Sequence, residues 1–405
     1  MELIRYMLTN IARRPMRAAF IAAAGFLSSV VLVFAFALGS RVTEHVRIDT
    51  IAKWTGHVWI STTSDFKFRE EKTTDYEREA AAVEDYLRSS PDVDIVVPWI
   101  NSYTEMQVGA KRTNIQVQAT DLALDEPYRR NTEFVEGRFP DPDEPYGIVI
   151  ASDLASKNAL KIGDSVTVFI SSVFGARNAM DFTVTGIFRA SAPWYDNSTA
   201  LRAEDYLEMS ELKGMSPFYK VYVKDEKRIP DLVRDLSSLA PSFVVKGYGD
   251  DDFVRFLLSL GASDVAMVGS MAMIIFFALL IGINSIIMTN IFDRRDEIGT
   301  LRALGFSRNA VRNLFFGESL LELLVGYLAG AVAVVLLGSY FDATIVRPPL
   351  LMLQYCLGMT RMALNVTPTT MLAPFLVLFG LLTLASYRKI GRETEKQAAE
   401  QMSGR

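Results

Sequence analysis

Ala18 to Gly39 carries no charged residue, and as a helix rising 1.5 Å per residue it spans about 33 Å, enough for the hydrocarbon core of a bilayer. Few other features so restrict what a chain can fold into, because buried charge and unsatisfied backbone are both excluded from lipid. A secretory signal has an apolar core of only ~7–15 residues, so this block reads as a retained anchor, and Arg13-Arg14 before it as a cytoplasmic charge marker. Three further apolar blocks follow: Val265–Phe292, Ser319–Phe341 and Met371–Tyr387. With half of the residues hydrophobic and 22% charged, a purely soluble protein is a poor fit.

Basic residues set the orientation. Arg5, Arg13, Arg14 and Arg17 precede the first block, Arg294, Arg295, Arg302, Arg308 and Arg312 join the second to the third, and Arg388, Lys389 and Arg392 follow the fourth. The connection between the third and fourth holds only Arg347 and Arg361. The positive-inside rule then puts both termini and the second connection in the cytoplasm. The expected organisation is a cytoplasmic segment (1–17), a first crossing (18–39), a large outer domain (40–264), a second crossing (265–292), a cytoplasmic connection running into the third helix (293–318), a third crossing (319–341), an outer loop (342–370), a fourth crossing (371–387) and a cytoplasmic tail (388–405).

The outer segment holds 26 basic and 37 acidic residues and mixes apolar runs with turns, the pattern of a folded domain rather than a disordered one. Two parts of it read alike. An apolar stretch at His57–Ile60, a helical pattern over Thr74–Arg88 and a strand at Val93–Val97 are echoed by Phe218–Val223, Pro230–Leu239 and Phe243–Val245. Paired, these βαβ units make a split layer over about 57–98 and 217–247, with the chain between, about 99–216, leaving as an insertion. Alternation at Ile115–Ala119, Ser165–Ile170 and Asp181–Phe188 makes that insertion β-rich, with one helix at Ser152–Leu160 capped by Ser152 or Asp153. The fold class expected is an α-helical membrane protein with four transmembrane helices plus an α+β extracytoplasmic domain, the last part of which (about 250–264) forms a helical stalk. Phe253, Phe256, Leu257 and Leu260 share one face of that stalk.

Catalytic signatures are sparse. One cysteine, Cys356, and two histidines, His45 and His57, leave little for metal or disulfide chemistry. Asp141-Pro-Asp-Glu144 and Asp250-Asp-Asp252 lack the alternating oxygen ligands and central glycine of a calcium loop and read as turns or helix caps. No phosphate loop, nucleophile elbow or zinc-helix motif occurs, and the crossings hold neither lysine nor histidine for a membrane protease. No catalytic, cofactor or metal residue is therefore assigned, and the formal net charge of −5 gives no basic stripe for nucleic acid. The loop after the third crossing is unusually apolar at Leu350–Leu353 and Tyr355–Met359, which suits an amphipathic helix on the outer membrane surface or packing on the stalk.

The connection Ile291–Arg312 is amphipathic. Ile298, Leu301 and Leu304 form an apolar edge, Asp296 and Glu297 sit early, where carboxylates favour a helix N-terminus, Gly305 offers a C-terminal stop and Ser307 can cap the next helix. Such a helix, bracketed by two crossings, either presses on a cytoplasmic partner or is an inert connector. Glu318 and Glu322, one turn apart at the start of the third crossing, are either functional intramembrane carboxylates or snorkel and pair with Arg312 or Arg308. Gly326 and Gly330 permit close helix approach, within the subunit or at a dimer seam.

Arg295-Asp-Glu-Ile-Gly-Thr-Leu-Arg-Ala-Leu-Gly-Phe-Ser307 resembles the signature of FtsX-domain permeases of the MacB-like ABC transporter family. Asn284 before it and Glu318-Ser319 after it fit the same pattern, and Phe134–Phe139, Leu160–Ser165 and Phe182–Ile187 are similar to elements of the family's periplasmic core domain. The resemblance implies that Arg295, Glu297, Ile298, Gly299, Arg302, Ala303, Gly305 and Ser307 form a coupling helix seated on a separate cytoplasmic ATPase, which carries the ATP and Mg. It further implies pairing with a second copy or a related permease, and export or extraction of a lipoprotein, lipid or amphiphile, aided by an outer carrier or adaptor. The alternative it leaves open is an FtsX-like regulator that activates a cell-wall hydrolase without transport. Where the family often has Pro-Ala-x-x-Ala and a later Asp-Pro, this chain reads Ala385-Ser-Tyr-Arg-Lys-Ile-Gly-Arg392.

Overall fold

The computed structural model describes residues 2–13, 15–62, 70–172, 175–211, 218–344, 346–348, 354 and 359–384. Two compact units divide the chain: Met1–Thr43, Ala262–Val346 and Met362–Arg405 form a helical one, and Glu44–Gly261 with Arg347–Arg361 form one built on a mixed sheet.

The chain opens with two helices, α1 (Glu2–Arg13) and α2 (Pro15–Thr50), the second starting on a proline whose missing N–H costs nothing at a first turn. α2 ends in a π turn, Ile51–Thr55, closed at Gly56, whose φ of 66° suits glycine. From there the chain enters the sheet through β1 (Val58–Thr62), then α3 (Glu70–Ser89) and the long β2 (Val93–Val108). β3 (Lys111–Thr120) turns back on β2, followed by α4 (Glu126–Arg130), β4 (Glu133–Gly137), β5 (Gly147–Ala151), α5 (Ser152–Asn158), β6 (Ser165–Ser171), β7 (Arg177–Arg189), β8 (Ser198–Arg202) and α6 (Ala203–Met209). β9 (Phe218–Val223), α7 (Ile229–Leu239) and β10 (Phe243–Gly247) complete the domain.

Strand order among the described residues is β10-β1-β9-β2-β3-β8-β5-β7-β4, with β6 bridging β2 and β7. The first four make the split βαβ layer, all antiparallel, and α3 and α7 bring Val83, Leu87, Leu232 and Leu236 onto its core. The rest form the insertion, whose separate core includes Trp99, Ile115, Val117, Ile148, Ile150, Val184 and Leu201. β2 belongs to both: up to Pro98 it pairs β9, and from Trp99 it pairs β3. Pro98 has no N–H to give a ladder, and it stands where the strand changes partners. Sequence reading ends this strand at Val97; the structure carries it on to Val108.

Acidic turns act as caps. Asp251 Oδ1 accepts the Phe253 and Val254 N–H groups at 3.0 Å each, and Glu144 Oε2 accepts from the Asp141 N–H at 3.2 Å and from Arg138 at 3.0 Å. At α5 the expected side-chain cap is absent: Ala151 holds the cap position in an extended conformation, with no side-chain bond.

Asp251 opens α8 (Asp252–Asp293), which is followed by α9 (Arg295–Ala303), α10 (Arg308–Ala343) and α11 (Pro368–Leu384). On the stalk stretch Val254 and Leu257 are buried, whereas Phe256 and Leu260 are exposed and Phe253 stacks on Trp54 with ring centroids 4.6 Å apart, so the four-residue face expected there is split. Among the described residues three helices are long and apolar enough to cross a membrane, those spanning Pro15–Thr55, Asp252–Asp293 and Arg308–Ala343; the described part of α11 is apolar but shorter. Before α11 the chain touches the mixed-sheet unit, where the Thr360 hydroxyl donates to the Ala190 carbonyl at 2.6 Å and Arg361 meets Glu133 at 3.7 Å. Leu350–Leu353, Tyr355–Gly358 and everything after Leu384, including the Arg388–Arg392 segment, lie outside the described residues.

Candidate functional site

The segment between α8 and α10 is built by local chemistry that can be followed residue by residue. Asp296 and Glu297 occupy the first turn of α9, where their charge meets the helix N-terminus, and the Thr300 hydroxyl donates to the Asp296 carbonyl at 2.8 Å. At the other end Gly305 takes φ 93°; its N–H reaches the Arg302 carbonyl at 3.0 Å and the Phe306 N–H reaches Leu301 at 3.1 Å, the paired bonds of a Schellman stop. Ser307 then accepts the Ala310 N–H at 3.2 Å and starts α10, so two helices meet at a turn only a few residues long.

One buried arginine anchors α9. Arg294, 3% exposed, donates through Nε and Nη2 to both Glu297 carboxylate oxygens and through Nη1 to Glu318 Oε2, each at 2.8 Å, while its guanidinium lies 4.3 Å from the Phe315 ring centre. A planar fork satisfied on two edges and stacked on one face is a rigid joint. It ties the start of α9 to α10 across 24 residues of sequence. Of the two readings open for Glu318, a functional intramembrane carboxylate or an ion pair with Arg312 or Arg308, the second is corrected in its partner: Glu318 takes Arg294, because the turn before α9 sets that guanidinium against α10. Ile298, fully buried, adds an apolar contact on the same side of α9.

The opposite side is open. Arg295 is exposed over the Phe292 ring, Gly299 is half-buried, and Arg302 donates through Nη1 to the Phe306 carbonyl at 2.6 Å, bracing the turn. Ala303, Leu304, Gly305, Phe306 and Ser307 are all exposed. Leu304, expected on the apolar inner edge, is 72% exposed and Phe306 47% exposed, so the tip presents two large apolar side chains beside Arg302 and Arg308. Leu304 follows the last residue of α9, so the helical spacing of Ile298 and Leu301 does not extend to it. Sequence reading missed Arg294 and Phe306 as site residues; the doubled arginine at 294–295 before a Glu at 297 was the available signal.

The remaining candidates lie elsewhere on the same helices. Gly326 and Gly330 face α2: a Cβ on Gly330 would stand 2.6 Å from the Phe26 carbonyl oxygen, and one on Gly326 would collide with the Ala22 carbonyl. Gly25 makes the reciprocal approach to Leu323. Glu322 is buried one turn above Glu318, and Asn284 is half-buried on α8.

Two buried lysines were not foreseen at all. Lys220 of β9, 0% exposed, donates to the Ala52 carbonyl at 2.8 Å, meets Asp125 Oδ2 at 2.6 Å and sits 3.9 Å from the centre of the Trp99 ring. Asp125 also accepts from Thr120, Tyr222 and the Tyr128 N–H, so every partner is placed. Burial pushes the Lys220 pKa down, against the opposing pull of Asp125, and pushes the Tyr128 and Tyr222 hydroxyls up. Lys53 pairs with Asp49 at 3.0 Å and donates to Ser191 Oγ at 2.6 Å, clasping the segment after β7 to the π turn.

Comparisons with known proteins give two family matches. Residues 20–239 match the MacB-like periplasmic core domain and residues 255–393 the FtsX-like permease C-terminal domain. An uncharacterized ABC transporter permease of Methanocaldococcus jannaschii is 25% identical over 221 residues, which cover 51% of this chain and 52% of that protein. The chain therefore spans about half the length of that curated relative. Among solved structures, the periplasmic region of MacB from Actinobacillus actinomycetemcomitans is similar at 15% identity, covering 50% of this chain and 94% of that one with a TM-score of 0.34. The extracellular domain of the ABC-type transporter YknZ from Gram-positive bacteria is similar at 15% identity, covering 47% and 98% with a TM-score of 0.32.

Proposed function

Since this chain belongs to the FtsX-like ABC permeases that carry a MacB-like periplasmic core domain, we propose that it is the non-catalytic membrane subunit that passes the motion of a separate cytoplasmic ATPase to its extracytoplasmic domain. The observation that carries this reading is the α9 foot: fastened to α10 by Arg294 on one side, and offering Leu304 and Phe306 to a partner on the other. A lever needs both properties. A loose connector would absorb a push, and a foot without exposed apolar anchors would offer a partner little to grip.

In this reading α9 lies on the cytoplasmic side, as the arginines flanking it favour, with both termini beside it and α11 serving as the fourth crossing. ATP and Mg belong to the partner, which seats Arg295, Glu297, Gly299, Arg302, Ala303, Gly305 and Ser307, whereas Ile298, implied by the resemblance as a further contact, is fully buried and supports the foot from within. ATP-driven closure pushes two such permeases, identical or related, toward each other. Within the helical unit α2 and α10 approach closely at Gly326 and Gly330, so a shift of α10 has a packed neighbour to move. The cargo class that suits an extracytoplasmic domain on four crossings is a lipoprotein, lipid or amphiphile extracted from the membrane or exported past it, handed to an outer carrier or adaptor.

Gly305→Pro tests the lever. Proline fixes φ near −65° where the turn needs 93°, and it removes the N–H that closes on Arg302. The variant is expected to insert in the membrane normally, while ATP hydrolysis by the co-purified complex in vesicles no longer responds to it. Arg302→Glu, which unbraces the same turn, should act alike. Normal stimulated turnover in both variants contradicts the assignment.

A further inference from the structure

A cavity of about 680 Å³ opens in the mixed-sheet domain, between the βαβ layer and the insertion, and the coupling reading makes no use of it. Its floor is apolar: Leu122, Ala203 and Leu207 are buried there, and Pro98 and Pro140 contribute walls without an N–H donor. Its rim is acidic. Glu84, Asp121, Glu204, Glu208 and Glu211 line it, and among the described residues Arg202 is its one cationic lining residue.

The hydrogen bonds around the rim orient these carboxylates, and most come from neutral donors. The Tyr219 hydroxyl donates to Glu84 at 2.9 Å, the Tyr146 hydroxyl donates to Glu208 at 3.0 Å, and Asp121 accepts the Ala123 and Leu124 N–H groups at 2.9 and 3.0 Å. Arg202 is spent on Glu204, and the exposed Arg88 reaches the other oxygen of Glu84 at 3.5 Å. Asp121 and Glu208 are thus held in place with their charge uncompensated by any ion pair among the described residues. Two oriented carboxylates on the rim of an apolar floor attract a cation to the mouth of the cavity.

We propose that this cavity is a binding site for a small cationic amphiphile, a molecule with one apolar body and one protonated amine. Volume sets the size: small-molecule sites run from about 300 to 1,000 Å³, and a cavity in that range holds one compact body rather than a length of extended chain. The chemistry sets the class: the apolar body lies on Leu122 and Leu207, and the ammonium faces Asp121, Glu204 and Glu208. A neutral or anionic analogue forfeits the electrostatic half of that fit. Binding here needs neither the ATPase nor the foot, so it stands or falls apart from the coupling reading.

The test uses the full chain in phosphatidylcholine nanodiscs, titrated with dansylcadaverine, a fluorescent naphthalene carrying a primary amine, and with its N-acetylated, uncharged form; empty nanodiscs supply the baseline. The amine should bind saturably and at least ~10-fold more tightly than the acetylated probe, the difference that ~1.4 kcal/mol makes. Glu204→Gln/Glu208→Gln should weaken amine binding about five-fold or more. Glu136→Gln, an exposed carboxylate on β4, should leave it unchanged. Glu204 is 77% exposed and glutamine keeps an acceptor for Tyr146, so the double variant is expected to fold, which its circular dichroism checks. Equal affinity for the two probes, or undiminished amine binding by the folded double variant, overturns the proposal.

Discussion

Lys220 shows how much one residue can carry. Its ammonium is sealed from water, so its charge is tolerable only because Asp125, the Ala52 carbonyl and the Trp99 ring surround it. Those partners come from the insertion, the π turn after α2 and the strand shared by both layers, which makes the lysine a fastening point for the domain. Lys220→Met is expected to lower the stability of the purified chain by ~3–5 kcal/mol, since it leaves Asp125 buried without a counter-charge. Lys220→Met/Asp125→Asn should recover a good part of that loss. Thermal unfolding in detergent measures both, and an unchanged midpoint in the single variant contradicts the role. Sequence pattern places residue 220 on a strand, but periodicity says nothing about which distant carboxylate a buried lysine will meet. Arg294 escaped notice for the same reason: its chemistry depends on a contact with Glu318 made only in three dimensions.

At the scale of elements, legibility follows the physics that acts locally. Apolar blocks mark α2, α8 and α10 because lipid tolerates little charge, alternation marks β3, and the Gly305–Ser307 stop and cap are written in residue types that few other turns share. The long β2 was harder, since Pro98 reads as an end and acts as a hand-over between partners. α1 was not anticipated as a packed element, yet a Cβ on Gly317 of α10 would stand 2.8 Å from the Met7 Cε. The glycines of α10 were noticed, but which helix they approach depends on assembly: it is α2, in the same chain. Gly326→Leu drives a side chain into the Ala22 backbone, and cores forced to take such volume lose about 1–3 kcal/mol or more. The expected result is a lower unfolding midpoint for the purified chain. Gly282→Leu, at a position where an added Cβ meets nothing within 4 Å, should leave it nearly unchanged. Equal effects of the two substitutions would show that the α2–α10 approach contributes nothing.

For the whole molecule the account is mechanical. Apolar helices set a membrane unit, a sheet of ten strands among the described residues sets an extracytoplasmic one, and in the proposed function α9 is the foot, held rigid by Arg294 and offering Leu304 and Phe306 to a partner. Motion imposed on that foot has α10 to move directly, and α2 is packed against α10 through glycine. The most direct test is a photo-crosslinking amino acid placed at Leu304 in living cells, with one at Glu136 as the comparison. The account predicts that position 304, and not position 136, captures a polypeptide whose own sequence contains a Gly-x-x-x-x-Gly-Lys-Ser/Thr phosphate loop. Capture of that polypeptide from position 136, or its absence from position 304 in cells that express the chain at the membrane, contradicts it.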